Sequence, residues 1–387
     1  MLETWIHPTR GRTLALIAAA GLLASACSTS TPGGPATASG ERTSTPAAAV
    51  GPSQALIDAA VLEGSLTTIA LPHDWCNNGA IIAAFKDRYG IPVNELDPQG
   101  STDDQISAIK ASKGNPGLQA PDVIDVIQAV GVANRAVFAP YKVSTWDSIP
   151  AQFKDPEGAW SSGYYGILSF ETNTSVVPNP PRDWSDLLKP EYKGKVALPG
   201  DPRLSNQASQ GVYAAALASG GSLDDARPGL GFMKRLADAG NLSSTIARTN
   251  TVDQGITPIT IRWTYTALTH RDTAAGAPSI EVTVPATGRI GSAFVQAINL
   301  YAPHPNAAKL WMEFLSSDEG QNLRLKANCT PTRYEEMVAR GAIPEELVAR
   351  QPDTSNVAFP TQTQLEAAKA LIGQSWDSAV GPDITDQ

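Results

Sequence analysis

Short β-rich hydrophobic runs alternate with helical patterns along most of the chain. LTTIAL (66–71), IPVNEL (91–96) and PDVIDVI (121–127) have strand composition, and helix-like segments follow them, including GAIIAAFKDRYG (79–90) and VGVANRAVFAPY (130–141). This alternation predicts a parallel sheet covered by helices. Ligands of such sheets bind beyond the carboxyl ends of the strands, so the loops after these strands are candidates for a binding site.

Two long extended stretches, 163–175 and 279–302, flank a middle block of the chain. Within that block, a strand at 195–200 leads through a loop to a helix at 208–218, and a second strand-to-helix junction lies at 262–265. The two stretches fit a chain that leaves one lobe, builds a second and returns. About 330 structured residues also exceed what one hydrophobic core usually supports. The pattern therefore predicts two lobes.

The first residues have the pattern of an export signal. Arg10 and Arg12 precede an apolar run at 13–26, which is too short to span a membrane, and Cys27 follows it. The ending LASAC resembles a bacterial lipobox, in which the cysteine becomes lipidated. Residues 28–53 are mainly Ser, Thr, Pro, Gly and Ala, which is typical of a flexible stalk. We expect export and anchoring by a lipid on Cys27 to the outer face of the cytoplasmic membrane; an ordinary signal peptide is the alternative.

Charge and cysteine content exclude some classes of protein. The net charge is −9 and no basic stripe is present, which disfavours nucleic-acid binding. After Cys27, only Cys76 and Cys329 remain. Outside the cytoplasm an isolated cysteine pair favours a disulfide over a zinc site, which needs more ligands. We therefore expect a Cys76–Cys329 disulfide and no nucleic-acid partner.

Three motifs resemble one known family. PRDWSDLLKPEYKGKVALPGDP (181–202) and YAPHPNAAKLWMEFLSSDEGQ (301–321) resemble the mid-chain and late signatures of bacterial extracellular solute-binding proteins, and PDVIDV (121–126) resembles their third strand. These are the receptors of ABC importers, in the group that binds polyamines, ferric iron, thiamine or aminoethylphosphonate. The resemblance implies a two-lobed α/β fold of the type II periplasmic-binding-protein kind, with hinge-connected lobes that each contain a helix-covered sheet. It also implies a monomer without a cofactor that delivers a small solute to membrane permease subunits.

The resemblance and the chain pattern together predict a domain organisation. The segments are a signal peptide (1–26), a lipidated cysteine with a stalk (27–53), lobe one (54–168 with 288–330), lobe two (169–287), and a C-terminal segment that packs on the lobes (331–387).

The resemblance also implies a pocket built from the strand-to-helix loops of both lobes and the first crossing segment. The residues carried over to this pocket by position are His73, Asp74, Trp75, Asn77, Ser101, Tyr164, Tyr165, Asp201, Arg203, Ser205, Asn206, Arg262, Trp263 and Tyr265.

The chemistry of these residues leaves two kinds of solute open. Asp74 and the aromatic rings suit an ammonium group, whereas Arg203 and Arg262 suit a carboxylate or phosphonate. A polyamine-like solute and a zwitterion both fit. Iron binders of the family use two adjacent tyrosines, and the matching RWTY has only Tyr265. Iron is therefore disfavoured, and we expect no metal.

An enzyme is the competing interpretation. Thiaminases of the first type share this general fold and use a cysteine nucleophile, and Cys76 lies near His73 and Asp74 in the octet PHDWCNNG. No cation that would stabilise a thiolate is evident beside Cys76. We therefore expect a binding protein, with Cys76 holding a pocket loop in place.

Overall fold

The computed structural model describes residues 51–115, 117, 119–381 and 383–385. These residues fall within one compact unit that begins at Ala49. The signal peptide, Cys27 and the stalk up to residue 50 lie outside the described residues. Within the described ranges, no helix is long and apolar enough to cross a membrane.

Ten strands alternate with helices along the described chain. The strands are β1 (Leu66–Ile69), β2 (Val93–Leu96), β3 (Val123–Ile127), β4 (Phe138–Ala139), β5 (Ser161–Asn173), β6 (Val196–Ala197), β7 (Ile259–Trp263), β8 (Ile280–Thr283), β9 (Gly291–Asn299) and β10 (Thr330–Pro331). The helices are α1 (Gln54–Glu63), α2 (Asn78–Tyr89), α3 (Thr102–Ser112), α4 (Gln128–Ala133), α5 (Asn206–Ala218), α6 (Arg227–Asp238), α7 (Thr249–Asp253), α8 (Thr264–Ala274), α9 (Pro305–Ser316), α10 (Asp318–Lys326), α11 (Tyr334–Ala339), α12 (Glu345–Val348) and α13 (Gln362–Ala379).

The long strand β5 joins the two halves of the larger sheet. That sheet has the order β3-β9-β5-β7-β6, with β4 paired to β9 and with β8 and β10 paired to β5. Residues 161–167 of β5 pair with β9, and residues 168–173 pair with β7 and β8. The parallel pair β1–β2 forms a separate small sheet.

The prediction of a parallel sheet is correct only in part. β1–β2 and β6–β7 are parallel, but β3–β9, β5–β9 and β5–β7 are antiparallel. The returning strand β9 inserts between β3 and β5, so partners come from segments far apart in sequence. A local β-loop-α pattern predicts only how segments adjacent in sequence connect, so it cannot predict a strand inserted from a distant segment.

The strand β5 changes its partner from β9 to β7 and β8 after residue 167, and a hydrophobic core lies on either side of this point. In the first, Phe85 packs edge-on against Trp311 with ring centroids 5.1 Å apart. In the second, Trp184 packs edge-on against Phe170 at 5.1 Å, and α13 contributes Trp376. Each fully buried large apolar side chain stabilises the fold by about 1.5–3 kcal/mol. The predicted α/β class is confirmed, and the lobe boundaries stay a prediction.

Some local predictions needed correction. The predicted helix at 130–141 is wrong in its second half, because Phe138 and Ala139 pair with β9 as an edge strand. The predicted extended stretch 279–302 is two strands, β8 and β9, separated by a loop. The helix at 79–90 is confirmed as α2.

Candidate functional site

The loops after β1 and β2 meet at one edge of the fold. Because β1 and β2 are parallel, their carboxyl ends lie side by side. Pro72 and Trp75 of the first loop line the same pocket as Gly100 and Thr102, which follow β2. The first loop is the octet singled out in the sequence, and it contributes Trp75 to this pocket.

A disulfide and α10 hold this octet in place. Cys76 and Asn77 have positive φ angles of 45° and 64°, a conformation that is unfavourable for residues with side chains. Cys76 is bonded to Cys329, with Cα atoms 5.6 Å apart, as the sequence predicted. The Arg324 guanidinium donates to the Cys76 carbonyl at 2.9 Å, and the Asn77 amide donates to the Leu323 carbonyl at 2.9 Å. The disulfide and these two hydrogen bonds therefore hold the loop that carries Trp75 in place.

Trp75 is the centre of an aromatic cluster. Its indole Nε1 donates to the Tyr164 hydroxyl at 2.9 Å. Its ring packs edge-on against Tyr265, with centroids 4.9 Å apart, and against Phe294, with centroids 5.8 Å apart. Tyr164 in turn stacks on Phe294 at 5.1 Å. These rings come from the octet, β5, α8 and β9, so the fold brings four distant segments together here.

Asp125 lies buried beneath this cluster. Its carboxylate accepts from the Tyr164 hydroxyl at 3.3 Å and from the Gln296 amide at 2.9 Å, and the Arg324 guanidinium lies 3.4 Å away. Arg324 also lies over the Tyr164 ring, 4.6 Å from its centroid. Burial raises the pKa of Asp125, and the charge of Arg324 opposes that rise. A further cation beside Asp125 would therefore favour its ionised form.

A small cavity opens between these groups, and we call it the aromatic pocket. It has a volume of about 160 Å³ and is lined by Trp75, Tyr164, Phe294 and Asp125 among others. The Gln105 side chain forms two hydrogen bonds with the backbone of Asp125, at 2.8 and 2.9 Å, which fixes this part of the wall. Three aromatic rings and one carboxylate suit an ammonium group through charge pairing and cation–π contact.

Two larger cavities adjoin the aromatic pocket. The main cavity, of about 500 Å³, shares Thr102 with it and is lined by the starts of α3 and α5, by residues 127–130 and 291–293, and by α13. The rear cavity, of about 430 Å³, shares Trp75 and is lined by Asp74, by the disulfide and by residues of α8 and α10. Each of the two larger cavities thus shares one lining residue with the aromatic pocket, and we call the three cavities together the cleft.

Arg262 is paired with a buried carboxylate of the protein itself. Its guanidinium forms an ion pair with the fully buried carboxylate of Glu171 at 3.0 Å. Glu171 also contacts His270 Nδ1 at 2.6 Å, and the other ring nitrogen of His270 contacts Asp253 at 2.8 Å. The hydrogen bond to Glu171 raises the pKa of His270, while burial opposes the rise. Arg262 lines none of the three cavities.

Arg203 is likewise surrounded by carboxylates. It pairs with Asp201 at 2.6 Å, with Asp377 of α13 at 2.5 Å and with Asp383 at 3.1 Å. The Arg203 guanidinium lowers the pKa of Asp201. Ser205 caps α5 by accepting a hydrogen bond from the Ala208 amide. Arg203, Asp201 and Ser205 thus organise the start of α5, where the next residue, Asn206, lines the main cavity.

The remaining predicted residues lie in different surroundings. Tyr165 stacks on Phe153 with centroids 5.3 Å apart, within the first core. Trp263 is buried and lies beside Tyr265, with centroids 6.2 Å apart. His73 is exposed and contacts Glu95 at 2.6 Å.

The cleft brings together some of the predicted residues and leaves others apart from it. Residues that line one of the three cavities are Asp74, Trp75, Ser101, Asn206, Tyr164 and Tyr265. Residues that line none of them are His73, Asn77, Tyr165, Asp201, Arg203, Ser205, Arg262 and Trp263. The ligand-binding role of each residue stays a prediction.

Sequence reasoning missed several residues of the cleft. Asp125 interrupts an apolar strand, and a carboxylate in such a run was a usable signal for a buried polar role. Phe294 and Arg324 carried no local signal, because they reach the site only when β9 and α10 pack against the octet. No group of three or more His, Cys, Asp or Glu suited to a metal occurs in the part of the chain that the structure describes.

Comparison with known proteins supports this architecture. Residues 129–360 match the model of a family described as bacterial extracellular solute-binding protein. An ABC transporter periplasmic-binding protein of Sinorhizobium fredii is 27% identical over 125 residues, which are 31% of this chain and 34% of that protein. The matched stretch thus spans about a third of that relative's length.

Solved structures share the fold over most of the chain. An extracellular solute-binding protein from Bordetella parapertussis has a TM-score of 0.68 at 14% identity, covering 82% of this chain and 99% of that one. Ferric iron-binding protein A of Mannheimia haemolytica in an open conformation has a TM-score of 0.60 at 19% identity, covering 80% and 98%. A fructose-6-phosphate-bound periplasmic protein of Actinobacillus pleuropneumoniae has a TM-score of 0.56 at 20% identity, covering 81% and 98%. The predicted periplasmic-binding-protein fold is confirmed.

Proposed function

The chain belongs to the bacterial extracellular solute-binding protein family, and from this premise we propose that it captures a small amine-bearing solute for an ABC importer. The solute enters the cleft between the two lobes, and the loaded protein delivers it to membrane permease subunits. The similar solved structures are named for ligands as different as ferric iron and fructose-6-phosphate. The class of solute therefore has to be argued from the residues of this chain.

The aromatic pocket is the observation that carries the assignment. Asp125 forms its floor, and the rings of Trp75, Tyr164 and Phe294 form its walls. A desolvated cation over an aromatic face gains about 2 kcal/mol, and the nearby carboxylate adds to this attraction. The Arg324 guanidinium lies 3.4 Å from Asp125, and its other nitrogen is bound to the Cys76 carbonyl and the Asn78 side chain. Arg324 thus supports the octet and also pairs with Asp125, which still lines the aromatic pocket.

The two arginines expected to hold an acidic group have other partners. Arg262 is paired with Glu171 and Arg203 is paired with three carboxylates. Taking Arg262 from Glu171 would leave a buried carboxylate unpaired, and taking Arg203 from its partners would leave the largely buried Asp201 unpaired, which is costly. An acidic group on the solute would therefore need a different cation, whereas Asp125 and three aromatic rings already line the aromatic pocket.

The thiaminase-like alternative would require a free thiolate at position 76. The thiolate is the nucleophilic form of cysteine, and Cys76 is held in the disulfide with Cys329. His73 is exposed and contacts Glu95. We therefore favour binding without catalysis, in line with the transport proteins that the chain resembles.

Export and anchoring complete the proposal. The signal peptide pattern and the Cys27 lipobox support a monomer held by an N-terminal lipid at the outer face of the cytoplasmic membrane, with the stalk giving the domain reach. Radioactive palmitate labelling of expressing cells tests this arrangement. A labelled wild-type protein and an unlabelled Cys27→Ala variant are expected, and labelling of both would contradict lipidation at this cysteine.

A thermal-shift screen tests the solute class. The panel contains diamines and polyamines, amino acids, aminophosphonates, thiamine, sugar phosphates and ferric citrate. A ligand at a hundredfold its dissociation constant adds about 2.7 kcal/mol of stability, or roughly 4 °C for a domain of this size. Amine-bearing solutes should give this shift. A shift only with amine-free solutes would refute the amine assignment, and consumption of a solute during incubation would favour an enzyme.

A further inference from the structure

The C-terminal helix α13 forms part of the wall of the main cavity. Gln362, Leu365, Glu366 and Lys369 line this cavity, and their spacing places them on one face of the first two turns. The neighbouring face of α13 is buried in the second core, through Ala368, Ile372 and Trp376. The helix is therefore fixed to one core while it presents polar and charged side chains to the cleft.

The segment before α13 is fixed to the other core. Phe359 packs edge-on against Phe153, with centroids 4.8 Å apart, and against Tyr165 at 5.5 Å. The Gly291 amide donates to the Ala358 carbonyl at 2.9 Å. A Cβ at Gly291 would come within 2.4 Å of the Phe359 ring, so glycine is required for this approach. The chain thus crosses from one core to the other at the edge of the main cavity.

Lys369 differs from the two arginines in the partner of its charged group. Its ammonium donates to the Asn206 side-chain carbonyl at 2.7 Å, and no carboxylate among the described residues forms an ion pair with it. It is half-buried and lines the main cavity together with Asn206. A cation that is hydrogen-bonded to a neutral amide keeps its charge available to a ligand.

We propose that α13 selects the solute by charge, with Lys369 binding an anionic group of a solute whose ammonium occupies the aromatic pocket. The inference rests on the proposed function and narrows the solute to zwitterions, in which a carboxylate or a phosphonate accompanies the amine. The main cavity and the aromatic pocket share the lining residue Thr102 and therefore adjoin, and the inference places one solute across both. α13 lies beyond residue 360, where the match to the family model ends.

Matched ligands separate the two charges. Isothermal titration calorimetry of the full chain is carried out with 4-aminobutyrate, 3-aminopropylphosphonate, butylamine and butyrate, and with any hit of the broader screen beside its analogue that lacks the acidic group. Hydrogen bonds to charged groups correspond to about tenfold to hundredfold in affinity. We expect a zwitterion to bind at least about tenfold more tightly than its amine-only analogue.

Variants connect this preference to α13. Lys369→Gln should bring the affinity for the zwitterion down to that of the amine, without changing the affinity for the amine itself. Lys234→Gln is the matched control, because Lys234 lies on α6, which packs beside α13, and is paired with Asp238 outside the three cavities. Lys369 forms no ion pair among the described residues, so the ligand-free melting temperature of its variant should stay within about 2 °C of the wild type.

Each other outcome overturns the inference in a distinguishable way. Equal affinity for the amine and the zwitterion, or unchanged zwitterion binding by Lys369→Gln, overturns it and leaves the proposed function standing. Tight binding of butyrate or another acid alone overturns the pairing with an amine. Binding of none of the amine-bearing probes overturns both the inference and the amine assignment.

Discussion

Reduction of the Cys76–Cys329 disulfide is expected to destabilise the fold and to loosen the loop that carries Trp75. The bond closes a loop with a sequence separation of 253 residues. In the chain-entropy model such a closure contributes about 5 kcal/mol at 25 °C. For a folded unit of about 340 residues this corresponds to a fall in melting temperature of roughly 7 °C. Thermal unfolding followed by circular dichroism, with and without a phosphine reductant, measures the difference.

The control is the double variant Cys76→Ala/Cys329→Ala, which should melt below the wild type and be insensitive to the reductant. Calorimetry on the reduced wild type should also show weaker binding of the amine found in the screen, because Cys76 and Asn77 hold positive φ angles that the bond helps to maintain. A fall of less than about 2 °C on reduction, or two free thiols in the mass spectrum of the untreated protein, would refute this reasoning.

Two further predictions concern titratable groups. Burial raises the pKa of Asp125, and an ammonium binds its ionised form. Calorimetry should therefore show the affinity for the amine falling by up to about tenfold per pH unit as the pH drops below that pKa. Asp125→Asn should bind the amine weakly at every pH, and a wild-type affinity that does not change with pH would contradict the role of Asp125. The raised pKa of His270 means that its stabilisation is complete below pH about 6.5 and is lost as the pH rises through the raised value. Urea unfolding should therefore show the wild type losing its advantage over His270→Gln as the pH rises, and an advantage that grows would contradict the assigned sign.

Part of the fold could be predicted because it depends on neighbouring segments. The strand-to-helix rhythm located β1, α2 and the octet, and the two extended passages indicated two lobes. The sheet itself could not be predicted, because β9 reaches its place between β3 and β5 only after the second lobe has been built. The same long-range pairing turned the predicted helical residue Phe138 into part of an edge strand.

The site was predictable where a residue acts from its own loop. Trp75 follows β1 directly and lies in the cleft, and the cysteine pair indicated the disulfide behind it. Arg262 lies near the end of β7 and was a reasonable candidate, but Glu171 of the neighbouring strand β5 pairs with it and neutralises its charge. Asp125 depends on Arg324 from a segment about two hundred residues away, so its role could be recognised only in the folded chain.

The part of the main-cavity wall that α13 forms could not be predicted from the sequence, for a different reason. Residues 331–387 contain none of the three motifs on which the resemblance rests, and the sequence predicts only that they pack on the lobes. Trp376 of α13 is buried in the second core. The face that lines the cavity is polar and reads like an ordinary exposed helix surface. The contact of Lys369 on this face with Asn206 depends on the tertiary structure alone.

The central claim is that an amine-bearing solute binds in the aromatic pocket against Trp75. Calorimetric titration of the wild type, Trp75→Ala and Trp146→Ala with the amine found in the screen tests it most directly. Trp146 is a half-buried tryptophan that lines none of the three cavities, so it controls for the loss of an indole. The account predicts that Trp75→Ala weakens binding by about tenfold or more while Trp146→Ala binds like the wild type. Equal affinities for all three proteins would contradict it.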